Sequence, residues 1–135
     1  MKENIFGKDI NECELLMTGL GEARYRGRQL YQWLYEKKCE RFSEMSNFSS
    51  GLRERLSNQY ELFHGRIEAK QIDHCDGTKK YLIELKDGQY IEAVLMHYEH
   101  GASLCVSTQV GCNMGCKFCA STRGGKIRDL SAAEI

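Results

Sequence analysis

The sequence predicts a mixed fold, α+β passing into α/β: a small N-terminal helical domain, then β-hairpins, then a strand entering a cysteine-rich loop. Three observations carry that expectation. Up to about residue 60 the apolar residues recur every three or four positions, the period of a helix with one buried face. Between residues 66 and 109, strand-like runs alternate with Asp-Gly pairs, a strong short-range hairpin signal. Four of the seven cysteines then fall between Cys105 and Cys119.

The chain has 135 residues, 41% apolar and 28% charged, a composition that supports one modest core and excludes collagenous or disordered classes. No apolar run approaches the roughly 20 residues of a membrane helix. The first thirty residues lack the basic-then-apolar pattern of a secretory leader, so the expected location is cytoplasmic. In that setting a cysteine cluster reads as metal or redox chemistry sooner than as a disulfide framework. Nineteen basic residues balance nineteen acidic ones, so any nucleic-acid surface has to be local.

The first helix is expected over Asp9 to Leu20, with Ile10, Cys13, Leu16, Met17 and Leu20 on one face and Gly19 and Gly21 as the stop. A second is expected over Gly27 to Lys38, with Leu30, Trp33 and Leu34 inward and Trp33 in the core. A third starts at Ser49 or Ser50, either of which suits a cap, and runs through Leu52 and Leu56 to about Tyr60. Cys13 and Cys39 read as small buried apolar residues. Residues 20 to 60 carry eight basic and five acidic residues, net +3. Within them Arg24, Arg26 and Arg28 beside Tyr25 and Tyr31 form a candidate RNA-contacting face, with an ordinary solvated face as the alternative.

Strands are expected over Arg66 to Asp73, Thr78 to Leu85, Gln89 to His97 and Ser103 to Gln109, with turns at Asp76-Gly77, Asp87-Gly88 and the stretch ending in Gly101. In the last run Leu104, Val106 and Thr108 alternate with Ser103, Cys105 and Ser107, so Cys105 is expected to face away from the apolar side. Cys75 falls in a turn, and His64, His74, His97 and His100 are expected at the surface. Ser131 to Glu134 has the pattern of a capping box at a helix start. One turn cannot sustain itself in water, so the sequence reads as the N-terminal part of a longer protein. The domain boundaries read as 1–62 helical accessory, 63–101 hairpin region, and 102–135 the beginning of an incomplete core.

Cys112, Cys116 and Cys119 form a C-x3-C-x2-C loop directly after a strand. Three thiolates on one short loop can hold three irons of a [4Fe–4S] cube and leave the fourth iron open to a substrate or cofactor. Zinc competes for such a set, since three cysteines and a histidine also make a tetrahedral site. No histidine lies within the loop or after it; the nearest, His97 and His100, precede Cys105.

With Phe118 before its last cysteine, this loop resembles the cluster motif of radical S-adenosylmethionine enzymes. That resemblance implies Cys112, Cys116 and Cys119 as cluster ligands, S-adenosylmethionine chelated by the unique iron, and one-electron cleavage to a 5′-deoxyadenosyl radical. It also implies that the backbone near Phe118 lies against the cofactor's adenine. The stretch Tyr25 to Tyr35, Asp76-Gly77-Thr78, Ile91 to Val94 and above all Cys105 to Cys112 resemble, in order, the RlmN/Cfr family of RNA adenine methyltransferases. The cysteine seven residues before the motif is the most specific part.

What the resemblance implies is detailed. The fold would continue into a partial (β/α) barrel, of which this chain holds only the first strand and the cluster loop. A methyl group, parked on a cysteine downstream of this sequence, would be activated by the radical and added to an adenine of 23S rRNA or of tRNA beside the anticodon. Cys105 matches the cysteine that resolves the protein–RNA adduct and ends in a disulfide with the methyl carrier. Glu92 matches an acidic residue implicated in proton transfer. A flavodoxin or ferredoxin would supply the electron, the protein would be a monomer, and this chain alone would not turn over. The housekeeping C2 specificity is the first expectation. The C8-modifying, antibiotic-resistance type and a non-catalytic, zinc-stabilised RNA-binding module stand as alternatives.

Overall fold

The computed structural model describes residues 2–135. The chain forms two compact units, one ending at Phe63 and one running from His64 to Ile135.

The first unit is helical. A two-residue strand, β1 (Glu3–Asn4), precedes helix α1 (Ile10–Gly19). Asp9 caps α1 reciprocally: its carboxylate accepts from the Glu12 N–H at 2.8 Å, while the Glu12 carboxylate accepts from the Asp9 N–H at 2.7 Å. Helix α2 (Tyr25–Tyr31) continues into a π-helical turn over Gln32–Glu36, and a short 3-10 turn follows at Phe42–Glu44. Helix α3 (Ser50–Gln59) is capped by Ser49, whose hydroxyl accepts from the Leu52 N–H, and strand β2 (Tyr60–Glu61) returns to pair in parallel with β1.

Cys13 and Met17 of α1, Leu30 and Leu34 of the second helix, and Leu52 and Leu56 of α3 form the core with Ile5, Cys39, Met45 and Phe48. Burial pushes the Cys13 thiol up to about 11 and raises that of Cys39, so both are inert packing groups. Trp33 departs from its expected core position. It lies half-buried against the core margin, where its indole N–H donates to Asn47 Oδ1 at 2.6 Å; a ring with a polar handle settles where that handle finds a partner. Gly27 brings the helices together: a Cβ there would lie 2.3 Å from Glu14 Cα and 2.4 Å from its backbone nitrogen. Only a residue without a side chain permits this approach.

In the second unit, β3 (Arg66–Ile72), β4 (Lys79–Glu84), β5 (Tyr90–Tyr98) and β6 (Gly101–Val106) form an antiparallel meander in sequence order. Its Asp-Gly turns are closed by the aspartates themselves: Asp76 Oδ1 accepts from the Thr78 N–H at 2.8 Å and Asp87 Oδ1 from the Gln89 N–H at 3.2 Å. The expected strand Ser103–Gln109 is interrupted at Ser107–Thr108. Its first part is the edge strand β6, and its last part begins β7 (Gln109–Gly111), which pairs antiparallel with β8 (Lys126–Asp129). All strand pairs in this unit are antiparallel, so among the described residues the architecture is α+β and no parallel barrel pair is assembled.

A small core of Leu85, Ile91 and Val110, backed by Ile83 and Leu130, ties β5 to β7. Leu104 and Val106 do not define a buried side of β6; they are 59% and 39% exposed. Ser131–Glu134 forms a turn, not a helix. Glu134 reaches back to accept from the Ser131 N–H at 2.9 Å, and Arg128 grips the same carboxylate through two nitrogens at 2.8 and 2.9 Å while its Nε donates to Asp87. That grip holds the Glu134 carboxyl down at about 2.

Candidate functional site

The cysteine loop springs from the β7–β8 hairpin. Gly111 ends β7 with φ +72°, and a Cβ there would meet the Gly125 carbonyl oxygen at 2.0 Å. The close approach lets the Cys112 N–H donate to Gly125 O at 3.1 Å, while Asn113 Oδ1 accepts from the Lys126 N–H at 2.7 Å. Downstream, the Cys119 N–H donates to Cys116 O at 3.1 Å, and the Thr122 hydroxyl lies 3.2 and 3.0 Å from the Cys116 and Cys119 carbonyls. The loop backbone is therefore tied down at both ends.

All seven cysteines are free. In the loop Cys116 is exposed and Cys112 and Cys119 are partly exposed, and the Met114 N–H lies 3.4 Å from Cys112 Sγ. Met114 and Phe118 stand out at 80% and 94% exposure. Among the described residues no three His, Cys, Asp or Glu side chains converge on one metal-sized point. The thiolates of a cube each ligate a different iron and have only to surround it. The donor set, three free and accessible thiols on one tied loop, fits an iron–sulfur cluster.

Glu92 and Cys105 are brought together by sheet register. Cys105 pairs with Val94, and Lys80 pairs with Val94 from the other side. Directly paired residues share a face, as do residues two apart on one strand. Lys80, Glu92, Val94 and Cys105 therefore lie on one face of β4, β5 and β6. Glu92 Oε1 sits 2.7 Å from Lys80 Nζ with both side chains about half exposed, and the neighbouring Ser107 hydroxyl donates to Glu92 O at 2.9 Å. Glu92 also lines a cleft of about 380 Å³ that runs past Ser107, Thr108 and Gln109 to Gly111 and Ser121, on either side of the cysteine loop.

In the helical unit, the arginine face has an interior anchor that the sequence reading missed. Glu14 is buried, and its carboxylate accepts from Arg24 Nε at 2.6 Å and Arg28 Nε at 2.9 Å. These bonds, Arg28's first, hold the carboxyl below the usual carboxylate range. The arginines themselves remain 74% and 72% exposed. Arg26 lies over the Tyr25 ring at 5.5 Å and donates to Asn47 O at 2.6 Å. The signal was present: Glu14 lies beside Cys13 and Met17 in the buried stripe of α1, whereas Ile10, expected on that face, is 40% exposed at the first turn; a carboxylate in such a stripe demands a partner.

Residues 3–62 match the model of the ribosomal RNA large subunit methyltransferase N-terminal domain. Among curated proteins, the chain is 49% identical over 132 residues to the probable dual-specificity RNA methyltransferase RlmN of Lachnospira eligens, covering 95% of this chain and 37% of that protein. It is 42% identical to the RlmN of Clostridium novyi, covering 98% and 39%. Among solved structures, it superposes on a radical SAM methyltransferase from Sphaerobacter thermophilus with TM-score 0.84 and 34% identity, over 98% of this chain and 39% of that one. The chain thus spans little more than a third of the length of the relatives it matches.

Proposed function

We propose, from the premise that this chain belongs to the RlmN family, that it supplies the accessory domain and the cluster loop of a radical S-adenosylmethionine RNA methyltransferase. The observation that carries the reading is the shared face of Glu92 and Cys105, beside a cleft that reaches the cysteine loop.

In this reading Cys112, Cys116 and Cys119 would hold a [4Fe–4S] cluster that works with S-adenosylmethionine. When bound, the cluster and S-adenosylmethionine supply one-electron chemistry that ordinary methyl donation to an unactivated adenine carbon cannot match. The backbone near Phe118 would lie against the cofactor's adenine. Glu92, fixed in direction by its strand and by Lys80, takes the proton from the modified base carbon. Cys105, accessible on the same face, would attack the sulfur of the methyl-carrying cysteine, which lies outside this chain, so that a disulfide forms as the bond from that sulfur to the RNA-bound carbon breaks; the carbon keeps the electron pair and takes a proton to become the methyl group. The products are adenines methylated at C2 in 23S rRNA and in tRNA beside the anticodon. Arg24 and Arg28, anchored by Glu14 but exposed, with Tyr25 between them, give residues 1–62 a phosphate- and base-contacting face. Residues 102–135 open the partial (β/α) barrel. The cytoplasm is the setting, with a flavodoxin or ferredoxin as electron donor.

The test is anaerobic turnover by the whole protein that carries this chain, with 23S rRNA fragments and tRNA as substrates and nucleoside mass spectrometry as readout. The expected product is 2-methyladenosine, with Cys105→Ala and Glu92→Gln stalling release of the RNA and the 135-residue chain alone giving none. Formation of 8-methyladenosine transfers the assignment to the C8 branch of the family. A cluster-replete whole protein that methylates neither RNA refutes the reading.

A further inference from the structure

The sheet register assigns a role to a residue that no sequence motif singled out. We propose that Lys80 is a positioning residue, which holds the Glu92 carboxylate on the face that carries Cys105 and balances the charge that Cys105 experiences. The inference rests on the proposed roles of Glu92 and Cys105, but its geometry stands independently of them.

Lys80 and Cys105 flank Val94 from opposite strands, which separates their Cα atoms by two strand spacings, about 10 Å. Glu92 lies two residues along β5 from Val94 and diagonally across from Cys105, about 7 Å away by register. Lys80 reaches diagonally in turn, and its Nζ stands 2.7 Å from Glu92 Oε1. The other ionisable groups on this face are Glu84 and its strand partner Arg66, joined at 2.8 Å, Tyr90, paired with Glu84, and Tyr98, whose hydroxyl lies 3.3 Å from Met96 Sδ. The nearest charges to Cys105 on the sheet are therefore an anion and the cation that neutralises it.

Removing either partner has opposite consequences. Lys80→Met leaves an uncompensated carboxylate near the sulfur and slows its reaction as a nucleophile. Glu92→Gln leaves an uncompensated ammonium and speeds that reaction. In a well-solvated surface one unit charge is worth roughly threefold at a second charge about 7 Å away, the distance of Glu92, and about twofold at about 10 Å, the distance of Lys80. A lysine that only decorated the surface would give no such sign reversal.

The experiment measures the rate of Cys105 alkylation by iodoacetamide at neutral pH and low salt in the intact 135-residue chain, resolved from the other cysteines by peptide mass spectrometry. Lys80→Met is expected to slow alkylation about twofold and Glu92→Gln to speed it about threefold. Lys80→Arg should restore the wild-type rate, and the double variant Lys80→Met/Glu92→Gln should return to it. Equal rates in all variants, or a change of the same sign in both single variants, overturns the proposal. Because no turnover is measured, that failure is distinct from failure of the methyltransferase reading, which the product analysis above tests separately.

Discussion

Replacing Gly27 by alanine tests how the helical unit is held together. The added Cβ would lie 2.3 Å from Glu14 Cα, 2.4 Å from Glu14 N and 2.7 Å from the Cys13 carbonyl carbon. These are backbone atoms of α1, so no rotamer change relieves the collision; α2 has to move outward by about an ångström. Overpacking of this kind costs up to about 3 kcal/mol, and alanine's better helix propensity returns about 1 kcal/mol. The net loss is about 2 kcal/mol, which in a unit of this size lowers the melting temperature by about 8–16 °C. The displacement also draws Arg24 and Arg28 away from Glu14. The assay is thermal unfolding followed by far-ultraviolet circular dichroism, with Gly51→Ala in α3 as control because nothing lies within 4 Å of its added Cβ. The control should melt at or slightly above the wild-type temperature. A Gly27→Ala protein that melts as high as wild type would refute the argument that this approach locks the two helices.

Gly111→Ala places a Cβ against the Gly125 carbonyl and imposes an unfavourable φ; amide hydrogen exchange at Cys112 should rise at least tenfold as its bond to Gly125 opens, and unchanged protection would contradict the tied-loop description. Acidification should weaken the second unit. Glu134 is held at about 2 against an ordinary 4.5, so its contribution is complete above about pH 4.5 and is lost as pH falls through about 2. After allowance for solvent screening that contribution is about 1–2 kcal/mol. Urea midpoints at pH 6 and pH 2.5 should differ less in Arg128→Met than in wild type. Serine at any one of Cys112, Cys116 or Cys119 should reduce the iron retained after anaerobic reconstitution by at least half, whereas serine at Cys75 should leave it unchanged, as counted by colorimetric iron assay.

Much of the local architecture could be read from residue spacing because local physics determines it. Asp9 and Ser49 stand where the helical period begins, and each becomes a cap. Asp76-Gly77 and Asp87-Gly88 close hairpins because the aspartate carboxylate satisfies the backbone two residues on. The features that escaped depend on partners far away in sequence. The β1–β2 pair is only two residues long in each strand and has no period to detect. The break at Ser107–Thr108 follows from which strand each half pairs with, β5 or β8. The π-helical turn at Gln32–Glu36 leaves Trp33 near Asn47, a partner that the helical period does not reveal. At the candidate site the cysteine spacing was plain in the sequence, whereas the shared face of Lys80, Glu92 and Cys105 emerged only from register. Glu14 was legible in principle, as a carboxylate in an apolar stripe facing two arginines spaced like one helical turn.

The central claim is that Cys112, Cys116 and Cys119 hold a cluster with one iron open to S-adenosylmethionine. Its most direct test is anaerobic reconstitution of this chain, quantification of iron, acid-labile sulfide and zinc, and electron paramagnetic resonance of the reduced protein before and after addition of S-adenosylmethionine. The account predicts about four iron and about four sulfide per chain, with a spectrum that changes when the cofactor is added. One tightly held zinc per chain, with no iron–sulfur signal, would contradict it.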